Sequence, residues 1–244
     1  MTKHFKKLSL ALIVLSALAL GACINIGAIG GVRPSRDIET REFDLTAFNA
    51  IDIGGVADIT FRQSNTHRLV ATMNDNLFDI LDIYVVNNTL SIEFSRSISG
   101  GRIPQIEFVI YAPTLTAASF PGAVNVTNWD VIDAANFRLS VSGAANVDID
   151  FDVNTLDVGV SGAASVNLGG RADMLYFNAT GATQFNAQNL QATNADIQMS
   201  GAGSATVFVT DNLDVSISGV ATVRYLGNPD VTSSVSGLGS VQAY

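Results

Sequence analysis

The sequence predicts an all-β protein: a parallel β-helix, or β-solenoid, with rungs of about 19 residues. The first observation behind this is a recurring glycine. Gly122, Gly143, Gly162, Gly181, Gly201, Gly219 and Gly237 follow one another at intervals of 21, 19, 19, 20, 18 and 18 residues. The second is what surrounds each one. Val141-Ser142-Gly143-Ala144, Val160-Ser161-Gly162-Ala163 and Met199-Ser200-Gly201-Ala202 are variants of one phrase. The third is a spacing of two. Apolar residues stand six, four and two positions before the glycine, as in Phe137, Leu139 and Val141, or Leu213, Val215 and Ile217. Alternation is the strand period, with successive side chains on opposite faces.

Each copy therefore reads as strand, glycine bend, strand and turn. Gly169-Gly170-Arg171-Ala172-Asp173 and Leu226-Gly227-Asn228-Pro229-Asp230 supply turn signals. Two such strands cannot bury an apolar face alone. Stacked at ~4.8 Å, equivalent positions form continuous rows, with Leu156 over Leu175 and Val215 over Ile197. The glycine serves either a positive φ or the close approach of a neighbouring rung. Parallel crossovers favour a right-handed coil. A left-handed hexapeptide coil of 18 residues fits only the last two intervals.

In chain order, residues 1–22 read as an export signal. Lys3, His4, Lys6 and Lys7 precede an apolar run from Leu8 to Leu20, too short to span a membrane comfortably. Leu20-Gly21-Ala22-Cys23 resembles a bacterial lipobox, which makes Cys23 the lipidated, palmitate-bearing first residue of the mature chain. A multiply acylated cysteine holds a membrane firmly. Ile24, rather than Asp, in second place points by the same resemblance to the outer membrane. Residues 23–41 read as a flexible tether, glycine-rich and then charged.

Residues 42–244 form the domain, with looser strands over 42–118 and seven glycine-marked rungs over 119–244. Ala50 to Phe61 looks like an early copy with Gly55 in the glycine place. Arg68–Met73, Leu81–Val86, Leu90–Phe94 and Ile106–Tyr111 are further strands, and Asn87-Asn88-Thr89 marks a hairpin. This part reads as larger excursions of the same sheets or as a cap. The C-terminal rung has no cap in sequence after it. A second molecule, giving a homo-oligomer, or the N-terminal excursions are expected to cover it.

Taken in order, Phe48-x-x-Ile51-x-Ile53-x-Gly55-x-x-Asp58-Ile59, Asn88-Thr89-Leu90-x-Ile92, Ile106-x-Phe108-x-Ile110-x-Ala112-Pro113-x-Leu115 and the serial Ser-Gly-Ala phrases resemble the bacterial head GIN domain family of auto-transporter adhesins. The resemblance runs from Phe43 to Tyr244 and implies a β-helical exported protein, often a lipoprotein. It brings no catalytic residues. Phe120-Pro121-Gly122 departs from the pattern at one turn.

Composition narrows the chemistry. Without the signal the chain has ten arginines, no lysine and 22 acids, a formal charge of −12. Lysine-assisted catalysis is excluded, and a His-rich metal site cannot come from His67 alone. His67, in Ser64-Asn65-Thr66-His67, reads as part of an exposed turn. Nucleic acid is a poor partner for this charge. No cofactor is expected.

Asp148, Asp150 and Asp152 alternate with Ile149 and Phe151 on one strand face. They read as a glycosidase pair, a calcium site or a plain outward polar face. Trp129, in the turn after the first rung, reads as a ligand contact that stacks on sugar or as a cover for the core end. The function expected is a lipid-anchored envelope protein with a structural or adhesive role, its partner a glycan or another envelope protein. The alternative is a polysaccharide-cleaving enzyme. Two acids and an exposed aromatic from different rungs in one groove would favour the enzyme; flat faces of Ser, Thr, Asn and Ala favour the binding module.

Overall fold

A computed structural model describes residues 31–244. The expected export signal, Cys23 and the start of the tether lie outside the described residues. The N-terminal strands are β1 (Ile38–Asp44), β2 (Ala50–Ile53), β3 (Val56–Gln63), β4 (Arg68–Asn74), β5 (Leu81–Val86), β6 (Thr89–Phe94) and β7 (Ile106–Ala112). The short β8 (Ala117–Phe120) and β9 (Ala123–Val126) open the regular rungs. These continue as β10 (Ile132–Val141), β11 (Ala144–Val160), β12 (Ala163–Ala179), β13 (Ala182–Met199) and β14 (Ala202–Ile217). The chain closes with β15 (Val220–Leu226), β16 (Asp230–Val235) and β17 (Ser240–Ala243).

Each rung gives one segment to each of two faces. Face A runs β5, β6, β2, β8, β10, the C-terminal parts of β11 to β14, and β16. Face B runs β1, β4, β7, β3, β9, the N-terminal parts of β11 to β14, then β15 and β17. From β6 and β7 onward the pairing is parallel, so the predicted β-solenoid is the fold.

The apolar rows are the predicted ones. Leu90, Ile51, Ala118, Leu139, Val158, Phe177, Ile197 and Val215 are successive partners along face A. None is more than 2% exposed. Leu156 pairs with Leu175 in the next row. Phe177 and Phe185, from the two faces of one interior, stack at 3.9 Å between ring centroids. Each such side chain withdrawn from water is worth about 1.5–3 kcal/mol before entropy is charged against it.

The glycine column resolves the choice left open by sequence. A Cβ built on Gly122 would lie under 3.0 Å from the carbonyl oxygen of Gly55, and one on Gly143 would meet that of Gly122 in the same way. The pattern continues from Gly162 to Gly237, each against the glycine one rung below. Of the eight, only Gly55 has a positive φ, 89°. Close approach, not backbone handedness, demands the glycines. The approach also lets the ladder run through the bend: Ala163, Ala182 and Ala202 each donate a backbone N–H, at 3.1 Å, to the glycine carbonyl of the preceding rung.

Gly169 and Gly170 do not break the rung, as their turn signal suggests. They remain paired within β12, and Gly170 absorbs the corner with φ 95°. The Asn87-Asn88 hairpin forms as expected between antiparallel β5 and β6, with φ 50° and 61°.

The tether expectation is corrected from Val32 onward. Val32 bridges to Ile98, Asn76 holds the backbone of Arg33 and Ser35, and β1 pairs antiparallel with β4. The charges read as a linker are those of an edge strand: Glu39 and Arg41 pair at 2.8 Å, and Arg41 lies over the Phe78 ring. Charged edge strands resist pairing with other chains. The 3₁₀ turn Asp75–Ile80 buries Leu77, Phe78 and Ile80, and with β1, β4 and β5 it caps this end of the core. These excursions sit at the end opposite β16 and β17, so they do not cover the C-terminal rung. There the apolar row ends: Val215 is followed by Ser233, and β16 is exposed throughout.

A matched pair of substitutions checks the column. Gly181→Ala is expected to cost at least about 2 kcal/mol in chemical denaturation, because the obstacle is backbone. Gly159→Ala, whose Cβ meets nothing within 4 Å, is expected to stay within about 0.5 kcal/mol of the parent.

Candidate functional site

The residues singled out in sequence do not converge. Trp129 is half-buried at the mouth of the core. Its indole N–H donates to the Ile59 carbonyl at 2.9 Å, and its ring packs near Phe61 and Phe120. This is the core-covering arrangement. His67 is not in an exposed turn: its Nε2 lies 3.1 Å from the Phe48 carbonyl and its ring meets Phe48 edge-on. Its hydrogen-bond partner is a backbone carbonyl rather than a carboxylate, which leaves it outside any triad geometry.

Asp148, Asp150 and Asp152 line the outside of β11 while Ile149 and Phe151 fill the interior. Asp152 forms a fork-to-fork pair with Arg171 one rung on, at 2.7 and 2.8 Å. That hydrogen bond is the main cause of its lowered pKa. The carboxyl of Asp150 lies over Gly169, where an added Cβ would strike its Oδ1. Among the described residues no group of three or more His, Cys, Asp or Glu could hold a metal ion. The trio is thus the outward polar face, partly neutralised by arginine.

The chemistry that does gather lies on face A. Its outward columns stand five, three and one positions before the glycines. The column beside the bend is nearly all hydroxyl: Ser142, Ser161, Thr180, Ser200, Ser218 and Ser236. The column at five before is charged, with Arg138, Asp157, Asp196 and Asp214, but Tyr176 interrupts it. Tyr176 is 43% exposed. Asp157 and Asp196 are its partners on the rungs to either side. Arg138 holds Asp157 at 2.9–3.0 Å, and Gln198 Nε2 donates to Asp196 at 3.2 Å. Between the hydroxyl and charged columns stand Ser140, Gly159, Asn178, Gln198 and Ser216. Sequence reasoning passed over Tyr176. The available signal was an aromatic at an outward position where the other copies carry charge.

Polar ladders finish the surface of face B. Asn146 donates to Asn125 at 3.0 Å and Asn125 to Asp58 at 2.9 Å. The row three positions after each glycine is therefore hydrogen-bonded at its start.

The family described as "Putative auto-transporter adhesin, head GIN domain" matches residues 47–229. Among solved structures, the chain is similar to a "putative adhesin" from Bacteroides fragilis, with 28% identity and a TM-score of 0.83, covering 88% of this chain and all of that one. A "putative adhesin" from Parabacteroides merdae is similar at 21% identity and TM-score 0.70, over 88% of this chain and 99% of the other. A "putative lipid binding protein" from Parabacteroides distasonis is similar at 19% identity and TM-score 0.69, over 87% and 99%. The last two likenesses concern the fold. No curated protein matches the chain.

The ion pair of Asp152 gives a signed expectation. Its carboxyl titrates lower in the fold than in an unfolded chain, so the pair favours the fold at neutral pH. That contribution fades as acid takes the pH below about 4. Arg171→Ala is expected to move the Asp152 titration back up toward an ordinary aspartate, read by carboxyl carbon NMR, and to remove its share of the acid sensitivity.

Proposed function

This chain belongs to the head GIN domain family, and we propose that it is a non-catalytic binding module, held at the outer membrane by lipid on Cys23. The adhesin-like family and its structural relatives fit a structural or binding role in the envelope. The observation that carries the reading is face A: a long sheet surface whose outward columns are mostly hydroxyl, amide and charged side chains, over apolar rows turned inward. Such a surface offers many weak hydrogen bonds to a partner and no enclosed pocket for a reaction. The lipobox resemblance of Leu20-Gly21-Ala22-Cys23 after an apolar run supports the lipid anchor; among the described residues no helix is long and apolar enough to cross a membrane.

The polysaccharide-cleaving alternative has one observation in its favour, because Asp157, Tyr176 and Asp196 are two acids and an exposed aromatic from different rungs. A glycosidase acid, however, must be desolvated enough to keep its proton near neutrality. Asp157 is ion-paired with Arg138 and its side chain is 41% exposed; Asp196 is half-buried and hydrogen-bonded. Neither lies in an enclosed apolar pocket, and the binding module is the better reading.

Two measurements test it. Cys23→Ser is expected to abolish incorporation of labelled palmitate and to move the protein from the membrane to the soluble fraction; unchanged fractionation would remove the anchor. Incubation with a panel of polysaccharides is expected to release no reducing ends, whereas release that disappears in Asp157→Asn would restore the enzyme.

A further inference from the structure

Three depressions on face A share their linings. One of about 470 Å³ lies between Thr116 and Tyr176, one of about 230 Å³ between Asp157 and Gln198, and one of about 260 Å³ between Asn178 and Ser236. Asp157 and Tyr176 belong to the first two, and Asn178 and Gln198 to the last two. The three are therefore one shallow trough that crosses the rungs along the stacking direction.

Two features, Tyr176 in its lining and Gly159 beside the lining residues Asp157 and Asn178, are not explained by the fold. Tyr176 is exposed in a column where the interior gains nothing from an aromatic ring. Gly159, diagonal to it and beside Asp157, has no steric reason to be glycine: a Cβ there would meet no heavy atom within 4 Å, and its φ is not positive. The bend glycines from Gly122 to Gly237, by contrast, are each pressed against backbone. The missing side chain leaves a bare floor next to the ring, between Ser140 and Asn178.

Resting on the binding-module reading, we infer that this trough is a binding site for a linear, uncharged glycan, with Tyr176 as its stacking platform and Gly159 as its floor. The ring supplies a flat apolar surface for the C–H face of a sugar. Asp157 and Asp196 accept hydrogen bonds from hydroxyl pairs, and Asn178 and Gln198 both donate and accept. The rung spacing of ~4.8 Å is close to the length of one sugar unit in an extended chain, so successive sugars meet equivalent polar positions.

A second exposed tyrosine, Tyr84, stands in the column of Gly159 on the same face, connected to it through Ser91, Asp52, Ser119 and Ser140. It is about 29 Å from the rung of Tyr176 by strand count, which suits a polymer better than a single sugar. The charge of the column, Arg138 against Asp157, Asp196 and Asp214, opposes an anionic polymer. A protein partner would ask for an apolar centre of several residues, and face A offers one ring among hydroxyls.

The experiment uses the full-length protein in detergent on immobilised β-glucan, mannan and xylan, with polygalacturonate as the anionic comparison. At least one uncharged glycan is expected to retain the protein and polygalacturonate to retain it less. Tyr176→Ala is expected to bind about tenfold more weakly, Tyr176→Phe to bind like the parent, and Gly159→Gln to lose binding by filling the floor. Asp150→Ala on face B is expected to change nothing. Unchanged circular dichroism and melting temperature identify losses that come from the site itself. Failure of all uncharged glycans to retain the parent, or equal retention of Tyr176→Ala, overturns the site. Adhesion of Tyr176→Ala to cell surfaces like the parent, abolished when the surface is treated with protease, also overturns it but leaves the binding module standing. Absence of any adhesion by the parent, to glycan or to surface, overturns both.

Discussion

The closest steric constraint in the molecule is glycine on glycine. At the bend of every rung the Cα of one glycine sits on the carbonyl oxygen of the glycine beneath, from Gly55 to Gly237. The contact leaves no room for a Cβ, and it allows the bend to be as tightly stacked as the strands on either side. Because the bends remain in register, the hydrogen-bond ladder does not pause there. Serine and threonine donate just before the glycine, and alanine or valine just after it. Register at the bend then sets register on both faces, which places Val158, Phe177, Ile197 and Val215 in one column.

A repetitive interior leaves the ends as the places where such a fold must differ from itself. At the N-terminal end the parallel ladder gives way to antiparallel strands, a 3₁₀ turn buries three apolar side chains, and Glu39, Arg41 and Glu42 charge the outermost strand. At the C-terminal end the strands stay parallel to the last. The last rung replaces the core residue with Ser233, and no charged residue lies between Val231 and Tyr244. The two ends thus differ in kind: one is sealed by chain reversal, and at the other Val231 and Val235 stay exposed on the last rung.

The same regularity leaves the surface, rather than a cavity, free to vary. With inward positions committed to the core, variation is tolerated only in the outward columns, and each substitution there recurs at a defined distance from its neighbours. Tyr176 and Gly159 are two such departures from repeat, placed next to one another by pairing between β11 and β12. Their residues are 17 apart in sequence, yet they occupy adjoining rungs. Asp148, Asp150 and Asp152, adjacent in sequence, are by contrast spread along the outside of one strand, where Arg171 neutralises one of them.

What the sequence determined by itself was the solenoid, its rung length, its inward rows, the Asn87-Asn88 hairpin and the family. Each of these depends on periodicity or on local backbone preference, which a linear chain displays directly. What only the tertiary structure decided was the role of side chains whose partners lie a rung or more away. The charges of residues 36–41 looked like a linker until β4 supplied the strand they edge. His67 looked exposed until Phe48 closed on it, and Trp129, left between ligand contact and core cover, was decided by Phe61 and Phe120. Glycine's purpose, left between backbone handedness and close packing, was decided by a carbonyl roughly one rung away. Contacts of that kind are set by how the coil stacks, and the physical reason they escape a linear reading is that neither partner carries any mark of the other.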